Sequence, residues 1–214
     1  MQKLSPFSPL NNYKVFYTYK SLYNLVEPTP QEIVLLNMLK DCGVMAGFQI
    51  ESILCSRKKL KSLANQKVIA KFKLEGTENR INVYSLEPEI DLELAFKRLA
   101  FAQLYVRIRR ITPCEAALCP APLTGMIWFN GASYPVLVLR KGESTVLLPD
   151  ILKSLPRVLV VSEDLIKLNL GIPFRMTTDR DLLDKPLRYA FYNEIGQPEE
   201  AVQFPEEKSI ETIL

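Results

Sequence analysis

The chain contains no histidine. The commonest general base and metal ligand is therefore absent, and neither a Ser-His nor a Cys-His pair can form. Any catalysis must rest on carboxylates, lysine or tyrosine. Two groupings have suitable residue types. In "TTDRDLL", Asp179 and Asp181 stand behind Thr178 at a spacing that could serve a carboxylate pair. The same spacing marks a helix start, where acids favour the positive end of the helix dipole, and that reading is preferred. In the second grouping Lys141 lies near Glu143 and Asp150, with Glu115 upstream. No GxGxxG, GxxxxGK[ST] or HExxH occurs, so the usual phosphate cradles and zinc-hydrolase devices are missing. Cys42, Cys55, Cys114 and Cys119 form no CxxC pair and sit among apolar residues, as reduced, buried thiols would. No cofactor or metal is expected.

Binding chemistry is better represented. The stretch "CSRKKLKSLANQKVIAKFKL", Cys55 to Leu74, carries Arg57, Lys58, Lys59, Lys61, Lys67, Lys71 and Lys73 without one acid, in a chain of 214 residues whose formal net charge is only +3. Such a one-sided concentration is what a phosphate backbone attracts. It could also be a solvated helix face.

The elements that must position these cations follow from the flanking pattern. In "EPTPQEIVLLNMLKDCG", Thr29 can cap a helix, Pro30 suits its first position, Glu32 completes a capping box and Gly43 ends it. Ile33, Leu36 and Leu39 are expected to face inward. A second helix is expected over Ala46 to Leu54, with Phe48 and Ile50 inward, and a third over Arg57 to Asn65, anchored by Leu60 and Leu63. The period then changes from helical to alternating, with Ile69, Phe72 and Leu74, a turn at "EGTEN", and Ile81, Val83 and Leu86 on the return, which signals a hairpin. Three helices followed by a hairpin give the order of a winged helix-turn-helix domain over residues 29–88. In such a unit Arg57, Lys58, Lys61 and Ser62 would point into the major groove, and Lys71 and Lys73 would lie on phosphates at the wing.

Residues 1–28 read as an aromatic arm, with Tyr13, Phe16, Tyr17, Tyr19 and Tyr23 packing on the body or on a partner, or stacking on nucleic acid. A long helix with an apolar stripe is expected over "EIDLELAFKRLAFAQLYVRIRRI", where the terminal arginines Arg107 to Arg110 suit the negative end of the helix dipole. A Pro-rich loop at "TPCEAALCPAPLTG" precedes a hairpin about Asn130-Gly131. A helix at Leu148 to Leu155, a strand at "RVLVVS", a short helix "EDLIKLNL" and a strand at "PFRMTT" complete the pattern. The unbroken apolar "VLVV" implies a strand covered on both faces. Residues 89–193 thus read as a small α/β domain, followed by an acidic tail over 194–214. No apolar run approaches the ~20 residues that cross a bilayer, and no leader signal is evident, so a cytoplasmic protein with no membrane partner is expected.

The winged-helix string "RKKLKSLANQKVIAKFKL", the long helix, "RVLVVSEDL" and "PFRMTTDRDLLDKPL" together resemble the replication-relaxation family of bacterial plasmids and integrative elements. The resemblance implies an α+β protein whose second domain is restriction-endonuclease-like, a relative of the PD-(D/E)xK nucleases. That motif departs here. If Lys141 matches the motif lysine, Leu139 stands where the metal-binding acid belongs and Thr124-Gly125 where the Pro-Asp pair belongs, with no acid between Leu123 and Lys141. The expectation is therefore a double-stranded-DNA-binding protein of a mobile element, acting in replication, mobilisation or regulation without catalysis. The arm or the α/β domain could serve a homodimer or protein partner. The alternatives are a protein-interaction module on a winged-helix scaffold and a metal-dependent nuclease with a displaced site.

Overall fold

The computed structural model describes residues 4–17, 27–54, 56–77, 79–201 and 204. It is a mixed α and β structure built on two sheets. The first half comprises β1 (Lys14–Tyr17), α1 (Pro30–Cys42), β2 (Val44–Ala46), α2 (Gly47–Glu51), α3 (Arg57–Asn65), β3 (Ala70–Glu75) and β4 (Arg80–Ser85). The second begins with α4 (Leu92–Arg109) and continues through β5 (Glu115–Leu118), β6 (Gly125–Phe129), β7 (Ala132–Leu139), α5 (Leu148–Leu152), β8 (Val158–Ser162), β9 (Phe174–Thr178), α6 (Asp179–Asp184), β10 (Phe191–Tyr192) and β11 (Pro198–Glu199).

The start of α1 forms as its residues dictate. Thr29 Oγ1 accepts from the Glu32 N–H at 3.4 Å and Glu32 Oε2 accepts from the Thr29 N–H at 2.7 Å, so two otherwise unpaired donors are satisfied. Gly43 closes the helix at φ 74, and a Cβ there would come within 2.9 Å of Arg98 Cδ. The inward face of α1 is Leu35, Met38, Leu39 and Cys42. Ile33 is exposed, because the core lies one step around the helix from the expected stripe. The second helix is shorter than expected. Val44–Ala46 form β2, which pairs antiparallel with β4, and only Gly47–Glu51 coil. Phe48 is 39% exposed rather than inward.

The first sheet runs β1-β3-β4-β2, all antiparallel. The hairpin β3–β4 alternates as its sequence implies, with Ala70, Phe72 and Leu74 buried and Lys71, Lys73 and Glu75 on the other face. The arm supplies β1, which covers the free edge of β3.

The second sheet runs β11-β10-β9-β8-β7-β6-β5. Its β5, β6 and β7 are antiparallel neighbours, whereas β7, β8 and β9 run parallel. The β6–β7 turn is Asn130-Gly131 with φ 50 and 71, the positive pair that a tight hairpin requires. Gly125 lets β6 approach α4, since a Cβ there would lie 2.4 Å from the Phe101 ring. Val136, Val138, Leu159 and Val161 face the main core, while Leu137, Leu139, Val158 and Val160 face a second cluster with α5. The parallel strands are therefore covered on both faces, as "VLVV" implies.

Between the sheets lies α4. Every residue from Leu99 to Ile108 is buried, so the expected stripe is in fact all-round burial, the mark of a helix enclosed by protein. A single core cluster runs from Phe7 through α1, the first sheet and α4 to Phe204.

Two further expectations fail. The Pro-rich segment contains β5, and "EDLIKLNL" forms no helix. From Ile166 onward its apolar residues recur every second position, Leu168 and Leu170 reaching the second cluster, which is an extended-chain period. The tail is partly packed: β11 pairs with β10, and Ala201 and Phe204 are buried. Among the described residues no helix is long and apolar enough to cross a membrane.

Candidate nucleic-acid interface

Helix α3 is capped by Ser56, whose hydroxyl accepts from the Lys59 N–H at 3.4 Å. Leu60, Leu63 and Ala64 are buried and fix its rotation. Arg57, Lys58 and Lys61 consequently face solvent, with Ser62 half-buried. The turn after Asn65 leads directly into β3, where the pleat sends Lys71 and Lys73 to the face opposite Phe72.

The cations are not equally available. Arg57 Nε lies 3.3 Å from Glu51 Oε1 of α2, although the Arg57 side chain remains 82% exposed. Lys59 Nζ lies 2.6 Å from Glu32 Oε1 of α1. This contact, reinforced by the Thr29 backbone and hydroxyl, holds the Glu32 carboxyl well below its ordinary range, at about 2. Lys73 Nζ lies 2.5 Å from Glu75 Oε1, which Arg80 Nη2 also approaches at 2.5 Å. Lys58, Lys61 and Lys71 have no carboxylate partner among the described residues. Arg57, the cation best suited to bidentate reading of guanine, is thus partly engaged, while the free lysines suit phosphate.

The arm brings further residues to this face. Phe16 of β1 stands opposite Lys73 of β3, is 48% exposed, and has the Lys73 ammonium 5.8 Å from its ring centre. Lys14 stands opposite Glu75, and Asn82 of β4 opposite Lys73. The β-favouring residues of "KVFY" were the signal available for this strand. Tyr13, by contrast, is buried against Phe96 at 5.5 Å with its hydroxyl donating to the Pro6 carbonyl at 3.0 Å, and burial pushes its pKa up to about 12. Tyr19 and Tyr23 lie outside the described residues.

Most of the residues considered for hydrolysis have other engagements. Leu139 is buried at the end of β7, and the hydroxyl of Thr124 accepts from the Val138 N–H at 3.3 Å. Glu143 pairs with Lys97 of α4 at 2.6 Å. Asp150 and Glu115 are exposed on α5 and β5. Thr178 caps α6 through the Asp181 N–H at 3.1 Å. Asp179 is fully buried, gripped by Arg140 at 2.6 and 3.1 Å and by the Ser5 hydroxyl of the arm at 2.6 Å. Asp181 pairs with Lys185 at 2.8 Å. Among the described residues, no three of His, Cys, Asp and Glu gather as a metal site. Cys42, Cys114 and Cys119 are free thiols, and burial raises the pKa of each; Cys55 lies outside the described residues. Compared with known proteins, the chain matches no family model, no curated protein and no solved structure.

Proposed function

We propose that the chain binds double-stranded DNA through a winged helix over residues 29–88, with α3 as the recognition helix and β3–β4 as the wing. The α/β half acts as a nuclease-like platform without catalysis. The observation that carries this reading is the exposed face of α3, where Lys58 and Lys61 stand free of carboxylates while Leu60 and Leu63 lock the helix beneath them. The order α1, β2, α2, α3, β3, β4, with β2 on the far side of β4, supports it as a compact helix-turn-helix with a two-stranded wing. The resemblance to the replication-relaxation family would imply a role for such binding in the replication, mobilisation or regulation of a mobile element.

The cations present imply affinity more than sequence choice. Lysines neutralise phosphates and release counterions, so binding should weaken steeply with salt. Fluorescence anisotropy on random duplex DNA at several salt concentrations tests this. Replacing Lys58 and Lys61 together by Glu should weaken binding at least about tenfold for every sequence and flatten the salt slope by about 2. Unchanged binding in that variant would remove α3 from the interface.

A further inference from the structure

A cavity of about 640 Å³ opens at the amino ends of the parallel strands β8 and β9, and no residue of α3 lines it. Its size falls within the range of small-molecule sites. We infer that it is a nucleobase-binding site, in which Arg157 supplies the stacking plane and the Asn193-Glu194 turn reads the base edge.

The stacking plane is built from the core outward. Phe204 stacks on Phe129 at 5.5 Å, Phe129 on Tyr134 at 4.3 Å with the rings 14° apart, and the Arg157 guanidinium lies 4.3 Å from the centre of the Tyr134 ring. The Tyr134 ring thus backs the guanidinium. Arg157 is exposed and has no carboxylate partner among the described residues. A planar guanidinium supported on one face and open on the other is a platform on which a heterocycle stacks, as arginine planes and aromatic rings do for unpaired bases.

The edge-reading groups lie in the turn between β10 and β11. Asn193 Oδ1 accepts from the N–H groups of Ile195 at 3.2 Å and Gln197 at 2.9 Å, which fixes the amide and leaves its Nδ2 donor free. Glu194 Oε1 accepts from the Phe174 N–H at 3.3 Å, leaving Oε2 as a free acceptor. Every nucleobase carries a donor beside an acceptor on its pairing edge, the complement of this acceptor and donor on adjacent residues. Beside them Arg175 is held in a two-point contact by Glu199 at 3.1 and 2.6 Å, so that wall is charge-balanced and rigid. The cavity is therefore nearly neutral, which favours recognition of the base over its phosphate.

This inference does not depend on duplex binding by α3. Saturation-transfer NMR on the full chain with the four deoxynucleoside 5′-monophosphates should show transfer to base protons. Arg157→Ala should weaken the binding about tenfold, the size of one lost stacking contact. Glu194→Gln, which keeps the bond to Phe174, should weaken it about threefold through loss of a charge-assisted hydrogen bond. The Lys58→Glu, Lys61→Glu variant should bind the mononucleotides unchanged, so failure of one site is distinguishable from failure of the other. A deoxycytidine oligonucleotide that displaces dCMP would identify a strand as the source of the base, and failure to displace it would identify a free nucleotide. Absence of transfer to the base protons of all four, or unchanged binding in Arg157→Ala with its thermal stability intact, would overturn the assignment.

Discussion

Arg57 to Lys61 at the start of α3 and Arg107 to Arg110 at the end of α4 are both cation-rich runs, each riding on a helix with apolar anchors. On α3 the anchors are confined to one face, so Arg57, Lys58 and Lys61 end in solvent and meet at most the half-buried carboxylate of Glu51. On α4 the helix is enclosed. Arg107 is buried and donates to the carbonyls of Leu182 and Lys185, and Arg109 donates to the Tyr105 hydroxyl at 2.7 Å and the Cys114 carbonyl at 3.3 Å. A charge run is a candidate binding surface only when its donors are left over after the fold has used what it needs. Arg107 and Arg109 of α4 close the ends of α6 and β5; Lys58 and Lys61 of α3 close nothing among the described residues.

The sharpest way to break this comparison is to remove a cation from each run and measure stability. Arg107→Met leaves the Lys185 carbonyl without its charged donor and removes one of two donors from Leu182, whose other partner is Gln103 at 3.3 Å. Unfolding in urea should show a loss of about 2–4 kcal/mol. Lys58→Ala should change stability by less than about 0.5 kcal/mol. Equal losses in the two variants would mean that α3 is as structurally committed as α4 and would undercut its role as a surface.

A smaller effect sharpens the comparison within α3 itself. Glu51 holds Arg57 at 3.3 Å, but a contact this exposed is worth under about 1 kcal/mol. Glu51→Gln should leave folding unchanged while freeing the guanidinium and removing a negative charge from the interface. Duplex affinity should rise about two- to threefold and the salt slope steepen by up to about 1, read by anisotropy. An unaltered slope would place Arg57 away from phosphate.

Much of this geometry was legible in residue order. The capping box of α1, the limits of α3, the alternation of β3 and the Asn130-Gly131 turn are local events, decided by side chains within a few residues of one another. The strands β2 and β5 were not legible, because three or four residues are too few to show a period and their pairing is fixed by partners about forty and ten residues away. The same limit governs the site. Lys58 and Lys61 could be assigned outward from Leu60 and Leu63, but the partners of Arg57 and Lys59 lie on α2 and α1, and Phe16 reaches Lys73 only because the arm returns to pair with β3. Asp179 gave no local sign that Arg140 and Ser5 would meet on it.

The contact between Lys59 and Glu32 gives the smallest effect and the clearest sign. Glu32 has its folded pKa lowered to about 2 from 4.5, chiefly by the Lys59 ammonium and then by Thr29. A carboxyl depressed in the folded state binds fewer protons there than in the unfolded chain, so its contribution is complete above pH 4.5 and is lost as the pH falls toward 2. Because the pair sits at the surface, the contribution at neutral pH should be below about 1 kcal/mol. Glu32→Gln keeps an N3 side chain able to cap the helix and loses only the charge. The wild type should therefore exceed this variant in stability near pH 6, with the gap closing as acid is added and the two curves meeting near pH 2. No gap at any pH in that range would mean that Glu32 acts through capping alone and that Lys59 is as free for phosphate as Lys58 and Lys61.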